Sequence, residues 1–133
     1  MKIAVPVWQD RVSPLFEAAT RFVIVDVEAG EVKSRTQLPI PEAEPWKKAG
    51  RLRELGVAVL ICGGIAGPVA AMVEASGVRL VPWVAGGTDE VLEAYLAGRL
   101  PSERFAMPGM RRMCRRRFGR GAGFRGGRGG QQI

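Results

Sequence analysis

Gly56-Val57-Ala58-Val59-Leu60-Ile61-Cys62-Gly63-Gly64-Ile65-Ala66-Gly67-Pro68 is the stretch that decides the fold. Val57 to Ile61 is an unbroken apolar run, the pattern of a strand covered on both faces. A glycine pair follows, and Pro68 then opens a helix that Gly77 closes. Strand, glycine turn and helix therefore come in that order. The unit repeats on either side. Upstream, Pro45 opens a helix running to Leu55 and ended by Gly56; Trp46, Ala49, Leu52 and Leu55 recur every three residues and are expected to face a sheet. Downstream, Val78 to Val81 is a strand, followed by Ala85-Gly86-Gly87-Thr88. Thr88 is the expected N-cap, and the acids Asp89 and Glu90 suit the positive end of a helix that runs to about Ala97.

The N-terminal part reads differently. Residues 2–7 are a short apolar strand, residues 8–14 a loop, and Pro14 can open a helical turn through Ala19. Residues 21–27 and 31–38 are two strands joined at Ala29-Gly30, a hairpin whose second member alternates polar residues like an edge strand. A hairpin followed by helix–strand units predicts an α/β fold with a mixed sheet and helices on its faces.

Charge divides the chain of 133 residues. Residues 1–103 carry 11 Lys and Arg against 13 Asp and Glu, and residues 104–133 carry nine Arg and no acid, so the net +7 belongs to the tail. The expected organisation is one α/β domain over 1–103 and a basic Gly/Arg-rich tail over 104–133, too poor in apolar residues to order itself. Two cysteines are too few for a disulfide framework. Val57 to Val73 is free of charge but is broken by glycines and proline and is short of a membrane span. With no signal-peptide pattern at the start, a cytoplasmic protein without membrane association is expected.

Four stretches, in this order and spacing, resemble the dinitrogenase iron–molybdenum cofactor biosynthesis family. They are Met1-Lys2-Ile3-Ala4-Val5-Pro6-Val7, Arg11-Val12-Ser13-Pro14-Leu15-Phe16, Gly56 to Ile65, and Asp89-Glu90-Val91-Leu92-Glu93-Ala94-Tyr95-Leu96-Ala97-Gly98. The resemblance covers residues 1 to about 100. It implies a three-layer ribonuclease-H-like fold with a five-stranded mixed sheet, order 3-2-1-4-5 and strand 2 antiparallel. It also implies a small carrier or chaperone of metal–sulfur clusters, an iron–sulfur or molybdenum-containing cluster as ligand, and a protein partner in cofactor assembly. Many family members carry a histidine after the Ser-Pro pair, where this chain has Leu15, and this chain has no histidine anywhere.

The residues themselves offer three constellations. The corners Cys62-Gly63-Gly64 and Gly86-Gly87-Thr88 lie after parallel strands, where ligands gather in open α/β sheets. With Arg11 and Ser13 they are expected to rim one pocket for an anion or cluster, their glycines letting the backbone approach and the helix N–H groups attracting negative charge. The alternative is that the glycines merely permit sharp turns. Cys62 and Cys114 are the candidate metal ligands, although Cys62 also suits a small hydrophobe at the end of a buried strand. A cuboidal cluster needs about four cysteines, so two per chain do not suffice alone. In the tail, Arg115, Arg116, Arg117, Phe124, Arg125 and Arg128 interleave arginine with aromatics in an RGG-type run, a pattern that binds single-stranded nucleic acid; a solubilising tail has the same composition. Asp10, Asp26 and Glu28 diverge on turns and a strand, and without histidine a Ser-His or Cys-His pair is excluded. No catalytic residues are expected, and the chain is not read as an enzyme.

Overall fold

Lys2–Trp8 forms β1, and its alternation builds both halves of the core. Ile3, Val5 and Val7 point to one face of the sheet and Ala4 to the other, all of them buried. The computed structural model describes residues 1–100 and 103–107. Arg21–Glu28 (β3) pairs antiparallel to β1 from Lys2↔Asp26 to Val7↔Arg21, and Glu31–Pro39 (β4) pairs antiparallel to β3. The turn between them is Ala29-Gly30, both with positive φ (53° and 79°), which matches the twist of a two-residue hairpin. On the other side of β1, Val57–Ile61 (β5) pairs in parallel through Ile3↔Val59 and Ala4↔Leu60, and Arg79–Val81 (β6) pairs in parallel with β5.

The result is an α/β fold with a mixed sheet and three helices, but the sheet has six strands where five were expected, in the order β4-β3-β1-β5-β6. The sixth is Arg11–Val12 (β2), paired antiparallel with β1 at Val7↔Val12 and Trp8↔Arg11. Sequence periodicity places a loop there, because two residues carry no period. β5 is paired with β1 only as far as Ala4, so the exposed end of that edge is taken up by β2. The two outer edges of the sheet differ in length. β4 runs for nine residues and is almost wholly exposed, whereas β6 has three.

Pro45–Glu54 (α1) and Gly67–Ala75 (α2) cover one face through Ala49, Leu52, Val69 and Val73. Thr88–Leu96 (α3) covers the other through Val91, Leu92 and Ala94. The expectation that Trp46 faces the sheet is corrected: Trp46 is exposed, and Lys48 is buried instead. A strict spacing of three drifts about 60° per step around a helix that turns 100° per residue, so Trp46 falls off the face that Ala49 and Leu52 define. Thr88 is likewise not the cap of α3; Gly87 is, and no side chain caps it.

The fold also runs past residue 103, where the boundary of the tail was expected. Phe105 and Ala106 are buried in the cluster under α3, with Ala85 N–H donating to Phe105 O (2.6 Å) and Met107 N–H to Trp83 O (3.0 Å). One aromatic ring and a short ladder fix these residues, although the surrounding composition is that of the tail. The expectations for Cys114, Arg115, Arg116, Arg117, Phe124, Arg125 and Arg128 lie outside the described residues. Among the described residues, no helix is long and apolar enough to cross a membrane.

Candidate functional site

Because β1, β5 and β6 are parallel, their carboxyl ends open on one rim, and both glycine corners lie there. The chain from Asp10 to Glu17 runs between them. It meets the first corner through Gly64 N–H to Pro14 O (2.8 Å) and Phe16 N–H to Gly64 O (2.8 Å), and the second through Val12 N–H to Gly86 O (3.0 Å) and Thr88 N–H to Asp10 O (2.9 Å). Ser13 is buried and turns its Oγ back on Leu15. Arg11 is exposed and bridges to Gly87. All the expected pocket residues are thus brought together, but as a closed backbone seam. The glycines are needed for that seam: a Cβ on Gly63 would stand 2.5 Å from Ser13 O.

One of the two helix ends is filled as well, so the expected anion pocket is not open at α2. At α2, the Glu17 carboxylate accepts from Ala66 N–H (2.8 Å) across 49 residues, so the positive end of this helix already holds an internal anion. Beneath it lies Lys48, 1% exposed, whose Nζ donates to Phe16 O (3.2 Å) and to Glu17 O. Burial lowers the Lys48 pKa, and the charge of Glu17 partly offsets this. Cys62, fully buried in the same region, has its thiol pushed well above the ordinary range, by desolvation first and by Glu17 second. Its side chain is enclosed within the cluster that α1 and α2 cover, the place of a small hydrophobe at the end of a buried strand. Among the described residues, no group of three His, Cys, Asp or Glu is placed to hold a metal ion.

At α3 the geometry opens. A cleft of about 300 Å³ lies between β4 and the start of α3, lined by residues that include Asp10, Arg35, Gln37, Thr88, Asp89 and Glu90. Arg35 pairs with Asp89 (2.5 Å) and Arg104 with Glu90 (3.8 Å). The acids make this the wrong sign for an anion. Thr88 is 3% exposed, and its Oγ1 has no hydrogen-bond partner.

The rim itself is apolar and strained. Trp8 is 60% exposed and Leu15 about half, while the Trp83 ring packs over Gly64. Trp83 has φ of 64°, a conformation that costs a bulky residue about 1–2 kcal/mol. It is held there by Trp83 N–H to Gly63 O, Val84 N–H to Cys62 O and the bond from Met107. Sequence reasoning missed Glu17, Lys48, Arg35 and Trp83. An acid beside Phe16 in a stretch otherwise destined for the core was the one local signal for Glu17; nothing local marks the others.

Comparison with known proteins places the chain. The curated protein MJ0580 of Methanocaldococcus jannaschii is 26% identical over 105 residues, covering 75% of this chain and 89% of that one. The crystal structure of PH0822 superposes with a TM-score of 0.71 at 25% identity, over 74% of this chain and 91% of its own. The apo form of the orange protein from Desulfovibrio gigas superposes at 0.64 with 21% identity, over 79% and 94%, which is a likeness of fold. The profile of the family described as dinitrogenase iron-molybdenum cofactor matches residues 1–98, and the chain belongs to that family.

Proposed function

We propose that the protein is a non-enzymatic carrier in iron–molybdenum cofactor assembly, with an anionic metal–sulfur cluster as its cargo. On this reading the cargo is held at the rim by the arginine-rich segment 108–133, and the glycine corners serve only to build the rim. The carrying observation is the bond from Met107 N–H to Trp83 O, which starts that segment beside Trp83 and Gly64. The segment has eight arginines and no acid. Its charge attracts polyanions at distances up to about a Debye length, roughly 8 Å at physiological salt. The body offers no comparable attraction, since Glu17 already occupies the start of α2 and acids line the cleft at α3. Cys114 follows Met107 by seven residues, an extended reach of about 25 Å. Because cuboidal clusters take about four protein thiolates, the cargo would keep its own sulfide ligands or be shared with a partner chain.

Anaerobic purification of the full chain with iron, molybdate and sulfide, followed by metal analysis and visible spectra, tests this. Coloured, metal-containing protein is expected, with uptake reduced at least about tenfold when the eight arginines of the segment become glutamine. A colourless, metal-free product, or uptake indifferent to those arginines, overturns it. The run Phe124-Arg125-Gly126-Gly127-Arg128 supports a second reading, single-stranded RNA as the bound polyanion. Salt-sensitive RNA binding without metal uptake would favour it.

A further inference from the structure

We propose that residues 103–107 are a detachable strap whose attachment decides whether Trp83 lies over the first glycine corner. This switch goes beyond the carrier reading and needs no cargo.

The strap is joined to the body at few points. Glu103–Phe105 is a single 3-10 turn, and Ala106 bridges to Val84 in the antiparallel sense. Two main-chain bonds flank that bridge, Ala85 N–H to Phe105 O (2.6 Å) and Met107 N–H to Trp83 O (3.0 Å). One ring, Phe105, enters the cluster under α3, beside Gly86, where a Cβ would stand 3.1 Å from it. Arg104 lies over that ring (5.0 Å) and reaches Glu90 at 3.8 Å, but both charged side chains are mostly exposed, so the ion pair holds weakly. β1, by contrast, lies between β3 and β5 with Ile3, Ala4 and Val5 fully buried. A segment held by one ring and a short ladder opens as a unit, at a lower free energy than central strands.

What the strap grips is strained. Trp83 has a φ of 64°, and its carbonyl is one of the strap's two main-chain anchors. Trp83 also donates its N–H to Gly63 O, Val84 donates to Cys62 O, and the Trp83 ring packs over Gly64. A bulky residue stays in the left-handed region only where its surroundings over-determine it. With the strap attached, bonds reach 83–85 from both sides. With the strap released, those on one side are gone, and a return of Trp83 to negative φ relieves the strain. The two arrangements are discrete: strap down with the indole over Gly64, or strap away with the indole lifted and 83–85 bare as a sheet edge. The seam of residues 10–17 bonds to Gly64 and Gly86 without using the strap, so the body stays folded in both.

Native-state hydrogen exchange of the full chain, read by NMR at low denaturant, tests this. The amides of Trp83, Val84, Ala85 and Met107 should share one opening constant. It should exceed that of Ile3 to Val5 by at least about tenfold and change little with denaturant, because little surface is exposed. Phe105→Ala should raise all four exchange rates by about a hundredfold or more. Trp8 and Trp46 are exposed, so with both changed to Phe the emission reports Trp83 alone. Adding Phe105→Ala should then shift that emission to longer wavelength. Exchange of the four amides only together with Ile3 to Val5 overturns the proposal, because the strap then leaves only on global unfolding. Opening of Ala85 and Met107 without Trp83 and Val84 also overturns it, as does unchanged emission in a folded Phe105→Ala chain, since Trp83 then keeps its place without the strap. If Phe105→Ala fails to fold, Met107→Pro replaces it, removing the N–H that bonds Trp83 O. No metal enters either readout, so the carrier reading stands or fails separately.

Discussion

The two glycine corners are built alike and end differently. Both follow a parallel strand, both carry a glycine pair, and both lead into a nine-residue helix. At the first, Glu17 arrives from another part of the chain and caps α2, and the backbone of Ser13 and Pro14 presses against Gly63. At the second, no side chain caps α3: backbone reaches its start through Asp10 O, Arg35 and Arg104 pair with Asp89 and Glu90, and these acids line a cleft beside an unpaired hydroxyl. The difference teaches that a glycine turn states where a backbone can come close, while what comes close is decided by a distant segment. Here one segment, residues 10–17, decides for both corners.

The contrast breaks most sharply at the glycines themselves. Gly63→Ala sets a Cβ 2.5 Å from a backbone oxygen that has no room to move. A loss of about 3 kcal/mol is expected in denaturant unfolding. Lys48→Met should cost about 2 kcal/mol by the same measurement, because Phe16 O and Glu17 O lose their buried donor. The buried groups near the first corner also give it a pH signature. The raised Cys62 thiol keeps its proton in the folded state while the unfolded chain releases it, so its contribution is intact below pH 8.5–9 and is lost above that at up to about 1.4 kcal/mol per unit. Lys48, lowered on folding, acts in the opposite sense: between its folded value and about 10.4 the unfolded chain holds the extra proton, and stability rises with pH. Unfolding Cys62→Ala beside the unaltered chain from pH 8 to 10 isolates the thiol, and the variant should gain relative stability as pH rises.

Smaller effects sharpen the comparison. Glu17→Gln leaves a neutral group at the start of α2 and should cost about 1 kcal/mol, read as a lower unfolding midpoint. Gly87→Ser lies at the other extreme. Its Cβ meets the far end of the Glu90 side chain at 2.9 Å and Asp10 O at an ordinary 3.9 Å, and serine is a good N-cap, so stability should stay within about 0.5 kcal/mol of the parent.

How much was legible follows the same division. The alternation of strands and helices, the Ala29-Gly30 hairpin and the polar edge strand could be read because each rests on periodicity or turn chemistry within a few residues. Arg11–Val12 could not, being too short to show a period. Phe105 and Ala106 could not, since two apolar residues amid arginines look like tail until their partners Ala85 and Val84 are in place. The candidate site was legible only as a location. Arg11, Ser13, Cys62 and the four glycines do meet at one rim, but the sign of the charge there came from Glu17 and Asp10, whose partners are 49 and 78 positions away.

The long outer strand β4 has a consequence of its own. Among the described residues its outer ladder is unpaired along nine residues, a template on which a further strand could be added. Glu31, Lys33 and Arg35 stand at every second position along it, one acid and two bases, so an approaching strand must strip hydration from each head. Charged heads at an open edge disfavour pairing with a second sheet, so these three side chains oppose growth from that flank.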